Sequence, residues 1–327
     1  MRAENEPPVS SHGATRVLIP AHFENDLTEL ALQCGVELIP YDEDGQLTRN
    51  GAGARALFRW WLSADQGDCL IREYPLEWIH TGSAGVDHIL TPAFRERTIV
   101  LTNSAGVHAP SIAEWVVAMI LASEKQLREM FHHQRERRWE KVERNELAGK
   151  RILIVGGGRI ATEIATRLRP FGVTVTALRR NPVPAVAFDS VLPVSDLYRA
   201  AKTSDWLVIA VPLTEETRGL IGRDVFEALP PQARLINVAR GEVVDETAML
   251  DALRRGRLAG AVLDVFDEEP LPSDHPFWTM ESVVVLPHTT WRSPLVRARQ
   301  VALFSRNLRS FARGEPLENV VDPARGY

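Results

Sequence analysis

Short runs of apolar residues alternate with amphipathic segments along most of this 327-residue chain. Apolar runs of three or four residues, separated by segments of helical periodicity, are typical of parallel sheets whose strands alternate with helices. The pattern therefore predicts a doubly wound α/β domain in the first hundred residues. The runs that we predict to be its strands are Arg16–Ile19, Val36–Ile39, Cys69–Ile71, Trp78–His80 and Ile99–Leu101.

The same alternation of strand and helix signals returns from Gly149 to Leu286 and predicts a second α/β domain. Between the two, Ser111–Arg128 is mostly apolar at helical spacing. Ser111 is followed three residues later by Glu114, a capping-box pattern that predicts a helix start at this serine. Ser293–Phe311 also has helical periodicity and predicts a helix near the C-terminus.

A glycine-rich turn opens the second domain. The apolar run Ile152–Val155 leads into Gly156 and Gly158, and Ala161 holds the third position of the pattern G-x-G-x-x-[GA]. Gly156 suits the tight turn, Gly158 lets backbone N–H groups approach a pyrophosphate, and Ala161 allows close helix packing. A helix N-terminus behind the turn favours phosphate, and a second strand is predicted at Val173–Leu178. The pattern indicates a dinucleotide site.

Three ionisable residues in the C-terminal third, Arg240, Glu269 and His288, each follow a strand-like stretch. The carboxyl ends of parallel strands lie along one edge of a sheet, where ligands bind. A guanidinium, a carboxylate and an imidazole at that edge can anchor an anion, tune an imidazole and move a proton. The three stretches are Arg234–Arg240, Ala261–Asp264 and Val283–His288.

Further motifs complete a pattern that resembles the D-isomer-specific 2-hydroxyacid dehydrogenase family over nearly the whole chain. In this order the motifs are highly specific. They are His80–Asp87, Asn103–Glu114, the glycine turn, Val211–Ile221, Ile236–Glu246, Asp264–Pro270 and Leu286–His288.

The resemblance implies an α/β fold with two doubly wound parallel-sheet domains, in which a Rossmann cofactor domain is inserted into a flavodoxin-like substrate domain. The substrate-binding domain is expected to be discontinuous, formed by residues 1–103 and 293–327. Residues 104–292 are expected to form the dinucleotide-binding domain.

By resemblance, Arg240, Glu269 and His288 are the catalytic residues. Arg240 is expected to hold a substrate carboxylate through its planar donor fork, and His288 to donate a proton in reduction and accept it in oxidation. Glu269 would accept a hydrogen bond from the far ring nitrogen of His288 and favour the imidazolium. Spacing alone leaves Asp267 and Glu268 as alternatives to Glu269.

The loop containing Ser83, Ala84 and Gly85 resembles the family's substrate-carboxylate loop, in which consecutive backbone N–H groups form an anion-binding nest. A strand-terminating turn is the simpler interpretation of the same residues. Together with Arg240, Trp291 is a candidate for the substrate pocket, although a core position suits a tryptophan equally well.

Cofactor choice depends on the end of the second strand of the second domain. An NAD site places an acidic residue there, whereas this chain has Arg179 and Arg180, which suit a 2′-phosphate. We therefore expect NADP(H) to be preferred, with NAD(H) possible; a solvated basic turn is the alternative. The full predicted cofactor set is Gly156, Gly158, Arg159, Ile160, Arg179, Arg180, Val211, Pro212, Thr217, Val238, Ala239, Arg240, Asp264 and His288, where Asp264 is equally suited to a structural role.

Composition and charge argue against several classes of protein. A net charge of −5 gives no support for a nucleic-acid or membrane surface, and no apolar run approaches a membrane span. Cys34 and Cys69 lack metal or redox spacing, so no metal and a cytoplasmic setting are expected. The polar segment Met1–Thr15 predicts a disordered lead rather than a signal peptide.

The charged segment Met130–Glu146, with Trp139 embedded, is either a solvated helix or an arm that packs on a second subunit, as in the family's dimers.

The sequence thus predicts a dimeric NAD(P)H-dependent reductase of short 2-oxoacids, such as glyoxylate or hydroxypyruvate, that yields D-2-hydroxyacids. A phosphoglycerate dehydrogenase of the same family is the enzymatic alternative. A dinucleotide-sensing binding protein without catalytic activity is the alternative from another class.

Overall fold

The computed structural model describes residues 15–327, which form two compact units. The first unit contains the described residues through Ser104 and Arg297–Arg325, and the second contains Ala105–Val296. The roles assigned to these parts of the chain stay predictions. The predicted disordered lead lies outside the described residues, except that Thr15 begins the first strand.

The helices and strands alternate along both units. The strands are β1 (Thr15–Pro20), β2 (Val36–Tyr41), β3 (Ala54–Arg59), β4 (Trp78–Thr81), β5 (Val100–Thr102), β6 (Arg151–Val155), β7 (Thr174–Arg179), β8 (Ser190–Pro193), β9 (Trp206–Ile209), β10 (Arg234–Asn237), β11 (Gly260–Leu263) and β12 (Val283–Val285). The helices are α1 (Glu24–Cys34), α2 (Ala64–Glu73), α3 (Pro92–Arg95), α4 (Ala109–Glu124), α5 (Leu127–Arg135), α6 (Arg159–Leu168), α7 (Leu197–Ala201), α8 (Arg223–Ala228), α9 (Glu246–Arg254) and α10 (Pro294–Arg313).

The first unit is built on a parallel sheet with the strand order β2-β1-β3-β4-β5, which is the flavodoxin-like order. Successive side chains of β1 enter the cores on opposite faces, as the two-residue period of a strand requires. Val17 and Ile19 pack in the core with α1 and α10, whereas Leu18 packs in the core with α2 and α3. Helices on both faces confirm the predicted doubly wound fold.

One predicted strand of this unit is wrong. Cys69–Ile71 lies in helix α2, where Leu70 and Ile71 are buried. Ser63 and Gln66 form a capping box at its start, and this S-x-x-Q pattern is visible in the sequence. The third strand is instead β3, which the prediction missed because Arg55 and Arg59 interrupt its apolar run. Arg59 is nevertheless buried, and its guanidinium donates to backbone carbonyls.

The second unit contains a parallel sheet with the order β12-β11-β10-β9-β6-β7-β8. Numbered from β6, this is the Rossmann order 3-2-1-4-5-6 with a further strand at one edge. Alternate residues of β6 again pack into two cores on opposite faces of the sheet, with Val155 in one and Ile154 in the other. The order of the strands reverses between β6 and β9, which is where such sheets bind ligands.

The predicted helix Ser111–Arg128 is divided into two helices in the structure. Helix α4 begins before Ser111, so the predicted capping box is wrong: Ser111 lies inside the helix, and its hydroxyl donates to the carbonyl of Thr290 at 2.8 Å. The chain turns at Gln126, whose φ of 49° is left-handed, and α5 follows. The apolar periodicity continues across this turn, which explains why it predicted one helix.

The predicted C-terminal helix is confirmed as α10, which extends from Pro294 to Arg313. Among the helices of the described residues, none has both the length and the apolar character needed to cross a membrane.

Candidate active site

Three neighbouring strands of the second unit carry the three candidate catalytic residues. Strands β10, β11 and β12 are adjacent and parallel, so their carboxyl ends share one edge of the sheet. Arg240, Glu269 and His288 lie in the loops that follow them. The topology therefore places three chemically different side chains at one edge, which is the arrangement that the strand ends predicted.

Glu269 and His288 are in direct contact. The Oε2 atom of Glu269 lies 2.8 Å from Nδ1 of His288, and the Oε1 atom accepts the backbone N–H of Phe266 at 3.0 Å. The carboxylate is thus held from its own loop while it orients the imidazole. A hydrogen bond from Nδ1–H to Glu269 leaves Nε2 as the ring atom that can exchange a proton with a ligand.

Electrostatics distinguish Glu269 from its acidic neighbour Asp267. Partial burial favours the neutral acid, but hydrogen bonds from His288 and from the Phe266 N–H, with the charge of Arg240 added, outweigh it and lower the pKa of Glu269. Asp267 behaves oppositely: burial, and then the nearby carboxylates of Glu246 and others, raise its pKa. Glu269 is therefore the carboxylate that stays ionised beside the imidazole.

Asn237, which sequence reasoning did not single out, holds the loop that carries Arg240. Its Oδ1 atom accepts the Ala239 N–H at 3.0 Å, and its Nδ2 atom donates to the Arg240 carbonyl at 2.8 Å. Next to Arg240, Gly241 is packed so closely that an added Cβ would lie 2.0 Å from the Phe266 carbonyl carbon. The loops that carry Arg240 and Glu269 therefore touch through their backbones. A single polar residue at a strand end, in Leu-Ile-Asn, was the available signal for Asn237.

Asp264 fixes the loop that carries His288. The Asp264 side chain, only 2% exposed, accepts the backbone N–H of Thr289 at 2.8 Å and the hydroxyl of Thr290 at 2.5 Å. His288 itself adopts a left-handed φ of 47°, which is uncommon for residues other than glycine. The structural role that we considered for Asp264 is therefore present; a contact with the cofactor stays a prediction.

Trp291 contributes to the same loop. Its indole N–H donates to the carbonyl of His288 at 3.0 Å, and its ring meets His108 edge-on and packs against one of the two cores of this unit. The structure thus gives Trp291 the core contacts of one interpretation. Its predicted role in the substrate pocket stays a proposal.

The glycine turn has the geometry that a dinucleotide needs. Gly156 adopts a φ of 124°, and a Cβ there would lie 2.3 Å from the carbonyl oxygen of Ala210, so only glycine fits. A Cβ on Gly158 would meet nothing within 4 Å, and Gly158, which is the N-cap residue of helix α6, has no side chain of its own to cap the helix. Open space beside Gly158 at the N-terminus of this helix fits a pyrophosphate. Ala161 is fully buried, as its packing position requires.

The remaining predicted cofactor residues lie at the carboxyl ends of strands β7, β9 and β10 or at the start of helix α6. Arg179 ends β7, and its side chain lies over Gly157, whereas the Arg180 guanidinium forms an ion pair with Glu216. The loop after β9 is shaped by Thr217, whose hydroxyl donates to the Pro212 carbonyl at 2.7 Å. The other members, including Ile160, Val211, Val238 and Ala239, lie at the first turn of α6 or just after β9 and β10. The acidic Glu216 was missed, because it comes from a loop distant in sequence from the two arginines.

In the first unit, the loop after β4 has its carbonyl groups occupied. Gln300 donates to Gly82 O at 2.6 Å, the Ser104 N–H to Ser83 O at 2.9 Å, and Asn103 to Ala84 O at 2.8 Å. The Ser83 hydroxyl donates to the next carbonyl, that of Gly85, at 2.7 Å. Within the described part of the chain, the N–H groups of Ala84 and Gly85 make no hydrogen bond. The loop therefore presents donors, which suits an anion.

Known proteins resemble the chain over most of its length. Residues 117–290 match the family described as D-isomer specific 2-hydroxyacid dehydrogenase, NAD binding domain. A glyoxylate reductase of Thermofilum pendens is 38% identical over 249 residues, which cover 73% of each chain. The human glyoxylate reductase/hydroxypyruvate reductase is 33% identical over 311 residues, covering 91% of this chain and 94% of that protein.

Solved structures agree with these relatives. A D-isomer specific 2-hydroxyacid dehydrogenase from Xanthobacter autotrophicus Py2, in complex with NADPH and MES, has a TM-score of 0.84 at 29% identity and covers 97% of this chain and 100% of that chain. An NADPH-dependent glyoxylate/hydroxypyruvate reductase from Sinorhizobium meliloti, in complex with NADP and sulfate, has a TM-score of 0.82 at 29% identity and covers 96% and 100%.

Glu269→Gln is expected to move the alkaline limb of the pH profile for oxoacid reduction to lower pH, because the imidazolium loses its anionic partner. The lowered pKa of Glu269 means that this partner is present at neutral pH and is lost only as the pH falls through that pKa. The measurement is kcat/KM for the oxoacid against pH. Glu268→Gln is the control and should leave the profile in place; an equal shift in both variants would contradict the assignment.

Asp264→Asn is expected to lower kcat by about 10- to 100-fold while changing the free energy of unfolding by only about 1 kcal/mol. The amide oxygen can still accept the Thr289 N–H and the amide nitrogen can donate to Thr290, but the buried charge near His288 is gone. Burial raises the pKa of Asp264, so the ionised carboxylate lowers the free energy of unfolding at pH values above that pKa. The asparagine has no charge and removes this cost. Denaturant unfolding and steady-state kinetics measure the two effects, with Asp267→Asn as control. A parallel loss of stability and activity would contradict a positioning role.

Proposed function

Because this chain belongs to the D-isomer specific 2-hydroxyacid dehydrogenase family, we propose that it reduces a short 2-oxoacid of the glyoxylate or hydroxypyruvate type to the D-2-hydroxyacid, and catalyses the reverse oxidation. The observation that carries the proposal is the contact between Glu269 and His288 beside Arg240, at the carboxyl edge of a Rossmann sheet.

The residues divide the chemistry among them. The Arg240 guanidinium binds the substrate carboxylate and polarises the carbonyl through two parallel N–H donors. His288, held by Glu269, gives the proton to the carbonyl oxygen during reduction and takes it back during oxidation. A nicotinamide cofactor, when bound at the glycine turn, supplies or accepts the hydride. We propose that the N–H groups of Ala84 and Gly85 form an anion-binding nest that suits a carboxylate.

We propose NADPH as the preferred cofactor, with NADH also used. The proposal is supported by Arg179 and Arg180 at the end of β7, and by relatives of known structure that are described in complex with NADPH or NADP. Charge-assisted hydrogen bonds from guanidinium groups contribute about 1.5–3 kcal/mol each when well formed. Because the turn is exposed, we expect the two arginines together to favour NADPH over NADH by about 1–3 kcal/mol.

The two alternatives have less support. Phosphoglycerate dehydrogenases are among the relatives, but the chain spans only 49% of the one from Methanocaldococcus jannaschii, at 30% identity. A dinucleotide-sensing binding protein has no need for an imidazole oriented by a carboxylate. The cytoplasmic setting stays a prediction, based on cysteine usage alone.

A substrate panel with both cofactors tests the proposal. We expect the purified protein to reduce glyoxylate and hydroxypyruvate faster than 3-phosphohydroxypyruvate, and kcat/KM for NADPH to exceed that for NADH by roughly 5–150-fold. Arg179→Asp should lower NADPH use, because its carboxylate repels the 2′-phosphate, and improve NADH use.

Three results of this panel would contradict the proposal in different ways. Turnover of the phosphorylated oxoacid alone would favour the phosphoglycerate dehydrogenase alternative. Cofactor binding without turnover of any of the three oxoacids would favour the binding protein. Equal or better use of NADH would refute only the cofactor preference.

We also propose that the protein is a homodimer and that the segment Met130–Glu146 contributes to its interface. This charged segment exposes apolar side chains, including 59% of Phe131 and 93% of Trp139, and aromatic residues and methionine are enriched at interfaces. Sedimentation equilibrium should show a dimer that Trp139→Asp weakens. Trp278→Asp, which alters another exposed tryptophan outside the segment, should not weaken it. A monomeric wild type would refute the proposal.

A further inference from the structure

The loop after β9 brings a carboxylate to the arginines that are proposed to bind the 2′-phosphate. The Nη2 atom of Arg180 forms an ion pair with the Oε2 atom of Glu216. Both side chains are open to solvent, with 49% of Arg180 and 70% of Glu216 exposed. An NAD site of this fold has its acidic residue at the end of the second strand, whereas here the acidic residue comes from a different loop.

The backbone that carries Glu216 is fixed by hydrogen bonds. The Thr217 hydroxyl donates to the Pro212 carbonyl at 2.7 Å and accepts the Thr214 N–H at 2.8 Å. The Arg218 N–H also donates to the Thr214 carbonyl at 3.0 Å. Glu216 therefore projects from a tight turn whose shape does not depend on the ion pair.

This turn follows the strand that borders the cofactor turn. The N–H of Ala210 donates to the carbonyl of Val155 at 2.8 Å, and Gly156 packs directly against the carbonyl of Ala210. The ion pair between Arg180 and Glu216 thus links the ends of β7 and β9, on either side of β6. Glu216 consequently lies beside the guanidinium that a ligand binding to Arg180 would contact.

The two arginines differ in their surroundings. The aliphatic part of Arg179 covers Gly157, where an added Cβ would lie 3.0 Å from its Cδ atom, whereas Arg180 reaches away to the carboxylate. A 2′-phosphate bound by Arg180 brings up to two negative charges to a guanidinium that already has an anionic partner. Two anions then compete for one cation and repel each other.

We propose that Glu216 is a specificity-determining residue that competes with the 2′-phosphate of NADPH for Arg180 and so limits the preference for NADPH over NADH. With a cofactor that lacks the phosphate, the ion pair persists and nothing is lost. With NADPH, the ion pair must be shared or broken. The inference rests on the proposed function in one respect, namely that Arg180 faces the 2′ position of the cofactor.

The test compares Glu216→Gln with Glu215→Gln in direct binding titrations with NADPH and NADH. Glu215 is the matched control, because it is an exposed carboxylate on the same turn that makes no ion pair among the described residues. We expect Glu216→Gln to lower the Kd for NADPH by about 3- to 10-fold and to change the Kd for NADH by less than about twofold. This gain in affinity for NADPH should become smaller as the salt concentration rises. Glu215→Gln should change the two constants equally or not at all.

A double-mutant cycle with Arg180→Gln separates competition for the guanidinium from simple repulsion between the two anions. If Glu216 acts through Arg180, its substitution should produce less than half of that gain, on a logarithmic scale, in the Arg180→Gln background. A gain of full size in that background would overturn the proposed competition. Titrations with 2′,5′-ADP and 5′-AMP should reproduce the difference between NADPH and NADH, because only the phosphate distinguishes them.

The outcomes separate this inference from the proposed cofactor preference. If wild type prefers NADPH and Glu216→Gln leaves both constants unchanged, the role of Glu216 is refuted and the preference stands. If wild type binds NADH as tightly as NADPH and Glu216→Gln tightens NADPH alone, the preference is refuted and the role of Glu216 stands. If wild type shows no preference and the variant changes nothing, both are refuted.

Discussion

The buried carboxylate of Asp264 ties the end of β11 to the loop after β12, and the position of His288 depends on this tie. Strand β11 lies between β10 and β12, and both Asp264 and Glu269 follow it. The carboxylate that orients the imidazole, Glu269, and the carboxylate that holds its backbone, Asp264, therefore come after the same strand. Sheet pairing alone fixes a strand end only approximately. The hydrogen bonds of Asp264 convert that approximate position into a defined one for a residue with a left-handed backbone.

This arrangement lowers stability. Burial favours the neutral form of Asp264, so its charge is retained against a desolvation cost, and the left-handed conformation of His288 adds strain. The loop of Arg240 similarly depends on Asn237, a polar residue that is 1% exposed. Such costs are expected where a site needs fixed geometry, and the extensive apolar cores on both faces of this sheet offset them.

The sequence predicted the fold well wherever a local pattern decides the structure. The glycine turn, the alternation of strands and helices, and the three strand ends with Arg240, Glu269 and His288 could all be recognised locally. Prediction failed where a local signal was ambiguous or the determinant was distant. The apolar run Cys69–Ile71 is too short to separate strand from helix, and the Ser111 hydroxyl donates to the carbonyl of Thr290, 179 residues away, instead of capping a helix.

The candidate site divides into predictable and unpredictable residues in the same way. The residue types at its centre were predictable because chemistry demands them. Their supports, such as Gln300 beneath Gly82 and Glu216 beside Arg180, were not, because nothing near them in sequence indicates the contact.

The loop from Gly82 to Gly85 is shaped before any ligand arrives. Because its four consecutive carbonyl groups are bonded to the protein, the entropy of ordering the loop is lost during folding and need not be lost again on binding. Under the proposed function, such a preorganised donor pair would bind the carboxylate that all 2-oxoacids share, whatever substituent lies at the far end of the molecule. Discrimination among oxoacids would then arise from the groups that surround that substituent, and a change of substrate would not require the proposed anion site to be rebuilt.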